Sequence, residues 1–465
     1  MLYLKGTFLI LILSFFYLSN VSTQNSAKRT LKPLIQGKKK PNVLLIYTDD
    51  QGTLDMNVYG AKDLFTPNMD NLAKKGIRFT QFYAAAPICS PSRASLLTGR
   101  YPQRAGMPNM ASSNKGDAGM PGSQITMAEM FKTAGYTTAH IGKWHVGYTP
   151  ETMPNQQGFD YSFGFMGGCI DNYSHYFYWA GPNTHDLWRN GKEIWEDGKY
   201  FPDLMVNETN NFLEDQKKQD KPFFIYLAIN IPHYPLQGEG KWRDYYKNLP
   251  SPRNKYAAFI STMDEKIGQV LNKLKDLGIA ENTIIVLQSD QGHSEEERTF
   301  GGGGYAGPYR GSKYSLFEGG IRVPAIISWP GVLPQDEVRD QLSTNIDWFP
   351  TLAELCNIPL PKTKIDGISL VPVIKSKNAP SVHENFFWQS GGKADNPQWA
   401  VRNGDWKLLH NPIQAKPSEL KADNFFLVNM KNNFSEKKNE AEQFPEVVKS
   451  LKEKYEQWIN EVTSQ

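Results

Sequence analysis

The chain of 465 residues has little cysteine: Cys89, Cys169 and Cys356 are all it holds. A secreted domain stapled by disulfides carries many more, and an odd count leaves at least one thiol unpaired. Net charge is also small. Lys and Arg total 51 against 48 Asp and Glu, a formal balance of +3 spread along the chain. A nucleic-acid partner would want a clustered basic face, so that class is set aside. The basic run from Arg29 to Lys40 reads as a solvated lead-in to the first strand. Long apolar stretches are scarce. One, Phe8 to Leu18, follows Lys5 and precedes small polar residues from Ser19 to Ser26. It is shorter than the roughly 20 apolar residues that span a bilayer. Its order of charged, apolar and small polar residues is that of a secretory signal peptide. We therefore expect a leader over residues 1–23, cleaved between Val21 and Gln24, and a secreted or periplasmic protein. No cysteine near that zone would carry a lipid, no later stretch is apolar enough to span, and no membrane anchor is expected.

Hydrophobic residues make up 40% of the chain, enough for a sizeable core, and the length favours one large domain plus a smaller one. Continuous apolar runs at Asn42–Thr48, Pro222–Ile229, Thr283–Gln288 and Ala325–Trp329 suit strands buried on both faces of a parallel sheet. Helical patterns lie between them, at Ile125–Ala134 and Tyr256–Leu277. The alternation predicts an α/β fold, a large mostly parallel sheet sandwiched by helices. Beyond about residue 375 the texture changes to short pieces joined by polar turns: Phe386–Gln389, Trp399–Arg402, Trp406–His410 and Phe425–Asn429. They predict a small antiparallel sheet. A closing helix starts at Pro445, with Val448, Leu451, Tyr455, Trp458 and Val462 on one face. The expected division is residues 24–375 for a catalytic domain and 376–465 for a small C-terminal α+β domain.

Two of the buried runs end alike. The first leads into Asp49-Asp50-Gln51-Gly52 and the third into Ser289-Asp290-Gln291-Gly292. Ligand sites in open α/β sheets gather at the C-terminal ends of strands. Carboxylates converging there repel unless a cation holds them, and all-oxygen donors suit Ca²⁺ or Mg²⁺ rather than zinc. Ordinary turn chemistry would produce similar endings. Next comes Cys89-Ser90-Pro91-Ser92-Arg93-Ala94-Ser95-Leu96-Leu97-Thr98-Gly99-Arg100. Pro91 sits where a helix begins and Gly99 where one stops. Cys89 therefore lies at a helix N-terminus that favours an anion, with Arg93 one turn on. On these residues alone Cys89 is either a low-pKa thiol nucleophile or a structural cysteine.

Cys-x-Pro-Ser-Arg followed by Ala-Ser-Leu-Leu-Thr-Gly closely resembles the signature of type I sulfatases, within the alkaline phosphatase superfamily. Gly142-Lys143-Trp144-His145-Val146-Gly147 is similar to the family's second signature. Pro232-His233, Asp290, and Lys313 ahead of Phe317-Glu318-Gly319-Gly320-Ile321-Arg322-Val323-Pro324 fall in the family's order, from about Pro41 to Val373. The resemblance implies an alkaline-phosphatase-like fold and a sulfuric ester hydrolase. A maturing enzyme would convert Cys89 to formylglycine, whose hydrate attacks sulfur and then expels sulfate through its second hydroxyl. One Ca²⁺ per chain would be held by Asp49, Asp50, Asp290, Gln291 and the matured Cys89. Arg93 would stabilise the ionised hydrate, Lys143 and Lys313 the sulfate oxygens. His145 would take a proton, and His233 would act at the leaving-group oxygen. One position departs: the family commonly has Asn where this chain has Gln291, the same amide on a longer stem.

Tyr173–Trp195 is dense in aromatics and holds His175, His185 and Arg189. It is either a sugar-stacking wall with a cationic contact or a packed insertion. The run Gly301–Gly304 with Arg310 reads as a mobile loop leading to Lys313. A sulfated carbohydrate is the expected substrate: an algal galactan, ulvan or a glycosaminoglycan. Arg189 in an aromatic wall would suit a uronate, which favours ulvan. The alternatives are a phosphate or phosphonate ester hydrolase of the same superfamily, or a sulfated-glycan binding protein with an inert site.

Overall fold

A computed structural model of the chain describes residues 39–179, 181–393, 396–420 and 422–464. The expected leader lies outside the described residues. No helix among the described residues is long and apolar enough to cross a membrane.

The first strand, Asn42–Asp49, is buried at every position. Side chains alternate across a strand, so Val43, Leu45 and Tyr47 enter one core while Leu44 and Ile46 enter another. This double burial is why the run is continuously apolar. The strand lies in the middle of a ten-stranded sheet. From one edge the order is Glu337–Arg339, Ile77–Phe79, Ala325–Ser328, Thr283–Ser289, Asn42–Asp49, Phe223–Pro232, Thr137–Lys143, Tyr161–Phe165, Trp188–Arg189 and Lys192–Glu193. The five strands from Thr283–Ser289 to Tyr161–Phe165 run parallel. Ala325–Ser328 does not: it pairs antiparallel with Thr283–Ser289. A buried apolar run reports burial on both faces, not direction, and sequence reading had grouped this run with the parallel ones. Helices Phe201–Gln219 and Arg253–Asp276 cover one face; helices Cys89–Thr98, Met127–Thr133 and Trp348–Leu355 cover the other.

The C-terminal part is a four-stranded antiparallel meander, Asn385–Lys393, Asn396–Asn403, Trp406–His410 and Phe425–Asn429. Helix Pro445–Thr463 lays Leu451, Tyr455, Trp458 and Val462 onto it, each fully burying side chain worth roughly 1.5–3 kcal/mol. Tyr455 stacks on Trp399 at 4.0 Å and Trp458 on Phe387 at 5.2 Å. The same core takes in Tyr83, Tyr101, Leu316, Phe317 and Ile321 from the preceding chain. A buried ionic cluster crosses the join: Lys407 lies 2.9 Å from Glu318 and 2.8 Å from Glu436, and Arg322 is 3.1 Å from Glu318.

Candidate active site

Four adjacent parallel strands deliver their C-terminal residues to one edge. Thr283–Ser289 brings Asp290, Asn42–Asp49 brings Asp49 and Asp50, Phe223–Pro232 brings His233, and Thr137–Lys143 brings Lys143 and then His145. Two of these ends are tied together. The Asp290 amide donates to Thr48 O at 2.9 Å, and the Asp50 amide donates to Asp290 Oδ1 at 3.1 Å. Asp50 and His145 both adopt left-handed backbone, with φ of 63° and 55°. This is an uncommon choice for such side chains and is held here by the surrounding ladder.

Cys89 opens a helix, Cys89–Thr98, whose ten residues are all buried. No side chain caps its first turn, so its free N–H groups face the Cys89 end. Gly99 stops it in the left-handed region at φ 67°, where a Cβ would come within 2.8 Å of Phe349. Cys89 Sγ lies 3.7 Å from Asp49 Oδ1 and 3.6 Å from Gln291 Nε2. Burial, with Asp49 and Asp290 beside it, pushes the thiol up to about 12 despite Lys143 and Lys313.

Three carboxylates meet three cations, all buried. Lys143 Nζ is 2.7 Å from Asp49 Oδ2, Lys313 Nζ is 2.9 Å from Asp50, and Arg93 Nη2 is 2.8 Å from Asp290 and 3.5 Å from Asp49. Burial opposes ionisation of Asp49, but Lys143, His233 and Arg93 outweigh it and hold the carboxyl far below its usual range. Burial wins at the other two. Asp50 is raised, and Asp290, with Asp49 beside it, rises to about 7. The three cations match the three acids in number, yet burial still leaves two of the acids short of stabilising positive charge.

That shortfall bears on a metal. Asp49, Asp50, Cys89 and His233 offer ligand atoms within 4.8 Å of one another. Gln291 turns its Nε2 toward Asp50 Oδ1, which leaves its Oε1 buried with no partner. The two amide atoms are assigned from hydrogen bonding, and a half-turn would present the oxygen to the carboxylates. Asp49, Asp50, Asp290 and Gln291 then form an all-oxygen set of the kind a hard divalent cation takes. The residues fit such an ion.

Beside them opens a cavity of about 250 Å³, lined by Cys89, His145, His233 and Lys313 among others. The histidine tautomers follow from their partners, since a carbonyl only accepts. His145 Nε2 is 3.2 Å from Ala111 O, so Nδ1, buried and unpartnered, holds the lone pair. His233 Nδ1 is 2.9 Å from Tyr234 O, which frees Nε2, 3.8 Å from Asp50. Burial holds both rings well below the usual histidine range.

The profile of the family described as Sulfatase matches residues 41–358. The chain belongs to the sulfatase family. This member also matches the profile described as N-sulphoglucosamine sulphohydrolase, C-terminal, over residues 311–461. It is 34% identical over 360 residues to N-acetylgalactosamine-6-sulfatase of Canis lupus familiaris, covering 72% of this chain. The match spans 66% of the dog protein's length, just under two thirds. Human arylsulfatase A is 32% identical over 410 residues, with 83% and 78% coverage. Among solved structures, Ps i-CgsB in complex with k-i-k-neocarrahexaose superposes with a TM-score of 0.82 at 30% identity, covering 90% of this chain and 93% of that one.

Several features of this sulfatase-family site escape a reading of the sequence. Cys169, to which sequence gave no role, lines the cavity, as does Arg298, stacked 4.3 Å over the Tyr234 ring. Arg189 does not reach it. Its guanidinium pairs with Glu208 on helix Phe201–Gln219 and lies 5.5 Å over Phe163. Arg310 is no part of a free loop either, since it is anchored to Glu419 at 2.7 Å and to Glu436 O.

Proposed function

We propose that the protein removes sulfate from a sulfated oligosaccharide, with Cys89 matured to formylglycine and one Ca²⁺ held by Asp49, Asp50, Asp290, Gln291 and the side chain at position 89. The observation that carries this reading is the buried meeting of Cys89 with three carboxylates and with Lys143 and Lys313. When bound, Ca²⁺ would supply positive charge for the nucleophile and one sulfate oxygen. The hydrated aldehyde would supply an oxygen nucleophile with a second hydroxyl for release.

This chain's own residues do the rest. Lys143 and Lys313, turned from Asp49 and Asp50, bind the other sulfate oxygens and stabilise charge developing on them. Arg93 keeps Asp290 and Asp49 in place, and its Nε, buried without a partner, is left for an anion at position 89. His145 accepts a proton at Nδ1. His233 Nε2, which takes up a proton once the sulfate ester's charge is beside it, faces the leaving-group oxygen with Lys313 and gives it that proton. The cavity is smaller than the roughly 300–1,000 Å³ of a drug-sized site, so it takes sulfate and the sugar bearing it while the rest of the glycan lies outside.

Charge also favours sulfate over phosphate monoesters. The three acids and three bases cancel. A divalent ion is then matched by an ionised nucleophile and a singly charged sulfate ester, whereas a phosphate monoester brings nearly two charges at neutral pH. Arg189 was the reason to favour ulvan, and its pairing with Glu208 removes that reason. A galactose-based glycan has more support, because the relatives include an N-acetylgalactosamine-6-sulfatase and a protein solved with a carrageenan oligosaccharide. Export to the periplasm or medium and a division at residues 375/376 belong to the same reading.

The test begins with peptide mass spectrometry of protein made together with a formylglycine-generating enzyme, where Cys89 should carry the aldehyde. Sulfate release is then followed on carrageenan, chondroitin and ulvan oligosaccharides, with aryl phosphate alongside. Turnover surviving in Cys89→Ala would remove the nucleophile. Release from ulvan alone would overturn the galactan preference and leave the sulfatase reading standing.

A further inference from the structure

The aromatic insertion holds a second cluster of ligand-type side chains outside the catalytic cavity. His175 follows the turn at Asp171. His185 ends a short hairpin in which Tyr176–Phe177 pairs with Thr184–His185, and Asp197 sits on the turn before Lys199. One ligand atom from each of His175, His185 and Asp197 lies within 4.8 Å of the others. Both rings are at least nine-tenths buried, at 0% and 4% exposure, and Asp197 is exposed.

The proton on each ring can be placed. His175 Nε2 is 3.0 Å from Lys199 O, an acceptor only, so Nε2 carries the hydrogen and Nδ1 the lone pair. His185 Nδ1 is 2.9 Å from Glu193 Oε1, also an acceptor, so Nδ1 carries a hydrogen and Nε2 is the nitrogen left to offer a lone pair to a metal. The two lone-pair nitrogens, His175 Nδ1 and His185 Nε2, are both buried with no hydrogen-bond partner. Each imidazole thus spends one N–H on a fixed oxygen and leaves its other nitrogen without a partner in the protein. A carboxylate or carbonyl behind each ring is the outer arrangement that orients metal-binding histidines. Trp195 stacks face to face on His185 at 3.8 Å and 7°, fixing the plane of that ring. Lys115 holds Glu193 in turn at 3.0 Å.

We propose that His175, His185 and Asp197 form a second metal site, separate from the Cys89 centre, for a divalent ion of the zinc class. Two imidazole nitrogens and one carboxylate suit a borderline ion, not calcium, and leave a fourth position to water. Ligand atoms around tetrahedral zinc stand about 3.4 Å apart. Closure on the ion therefore draws them inward by no more than about an ångström and a half, a movement that falls to the exposed Asp197 turn. The ion would staple that turn to the hairpin whose Phe177 forms part of the catalytic cavity wall. Its role is to hold the wall rather than to react.

The experiment uses untagged mature protein, freed of transition ions and kept in excess Ca²⁺ so that the catalytic centre is occupied throughout. Co²⁺ is titrated in and read by its visible absorption, then displaced with Zn²⁺, and bound zinc is counted after dialysis. One equivalent is expected, with an intense tetrahedral-type cobalt spectrum and a rise in Tm on adding Zn²⁺. His175→Gln and His185→Gln should each abolish the spectrum and the Tm response. Asp197→Asn, at an exposed position that does not endanger folding, should weaken cobalt binding about 10–100-fold. Wild-type protein that retains no cobalt or zinc overturns the proposal. So does a spectrum that persists unchanged in Asp197→Asn and either histidine variant. Hydrolysis of sulfate esters is a separate readout, and its presence or absence does not decide this site.

Discussion

Replacing Lys143 with Met separates the two jobs assigned to that lysine. Its Nζ lies 2.7 Å from Asp49 Oδ2, and both side chains are 0% exposed. Removing one partner of a buried ion pair strands the other charge and costs about 3–5 kcal/mol. A pair at this separation is also worth a few kcal/mol at an effective dielectric of about 20. Unfolding entropy of roughly 2.1 cal/mol/K per residue makes 1 kcal/mol about 1 °C in a chain of this length. In chelator, Lys143→Met should therefore lower Tm by about 3–5 °C. With saturating Ca²⁺ the deficit should shrink to about 1 °C, because Asp49 then faces a cation that replaces the lost ammonium. In Ca²⁺, turnover should still fall by orders of magnitude, since the ion that restores Asp49 does not replace the lysine's hold on the sulfate oxygens. Differential scanning fluorimetry of wild type and variant, each with EGTA and with Ca²⁺, closes the cycle. Equal Tm losses in the two media would show that Asp49 does not face the ion, and the metal assignment would fail.

His233→Ala should slow sugar sulfates, whose alcohols leave poorly, far more than an activated aryl sulfate; equal losses would take His233 off the leaving-group oxygen. Burial and Glu318 raise Glu436 to about 7 despite Lys407. An acid raised on folding binds protons more tightly when folded, so its contribution is present at low pH and lost as pH climbs from the usual carboxyl range through that value. Glu436→Gln should therefore flatten the fall in Tm between pH 5 and 8, and an unchanged slope would remove Glu436 as its source. Trp458, stacked on Phe387 and 5.1 Å from Tyr101, joins the closing helix to both sheet and catalytic region. Its change to Ala should cost about 3–5 kcal/mol, read as a shift of the single melting transition, and a separate early transition would instead show the C-terminal part unfolding alone.

What was legible in the sequence was what burial writes into composition. Asn42–Asp49, Phe223–Pro232 and Thr283–Ser289 sit between two cores, so their runs are apolar throughout. Their neighbour Thr137–Lys143 was not called. Its TTAHIGK is equally buried at the centre, yet carries His140, packed between Trp144 and Phe159. The direction of Ala325–Ser328 was illegible because burial has no sign. At the site, paired strand endings and the Cys89 helix pointed to the residues now seen together, since each lies at an element's end. Cys169 and Arg298 arrive on loops far apart in sequence, and no local pattern links them to Cys89. Arg189 failed the other way. The sequence shows a cation among aromatics, but Glu208 neutralises it from a helix two elements later.

The same charge count gives a test of how metal and substrate depend on each other. Lys143 and Lys313 are not free to bind sulfate while each is closed on Asp49 or Asp50. Opening either pair for an anion, with no replacement for the ammonium, would strand a buried carboxylate. Asp49 and Asp50 can release the lysines only if another cation takes them. Sulfate affinity should therefore depend on Ca²⁺, and by linkage Ca²⁺ affinity should rise by the same factor when sulfate is bound. A coupling of about 1–3 kcal/mol, or roughly 5–150-fold, is the usual size of such an effect. Arg93 is held by Asp290 as well as Asp49, so it should contribute less to this exchange than the lysines. Isothermal titration of Ca²⁺ into Cys89→Ala protein, with and without sulfate, measures the factor without interference from turnover. In Lys313→Met the factor should fall to about its square root, because only one of the two lysines remains to be released. Full coupling in that variant would mean that the lysines are not what Ca²⁺ sets free.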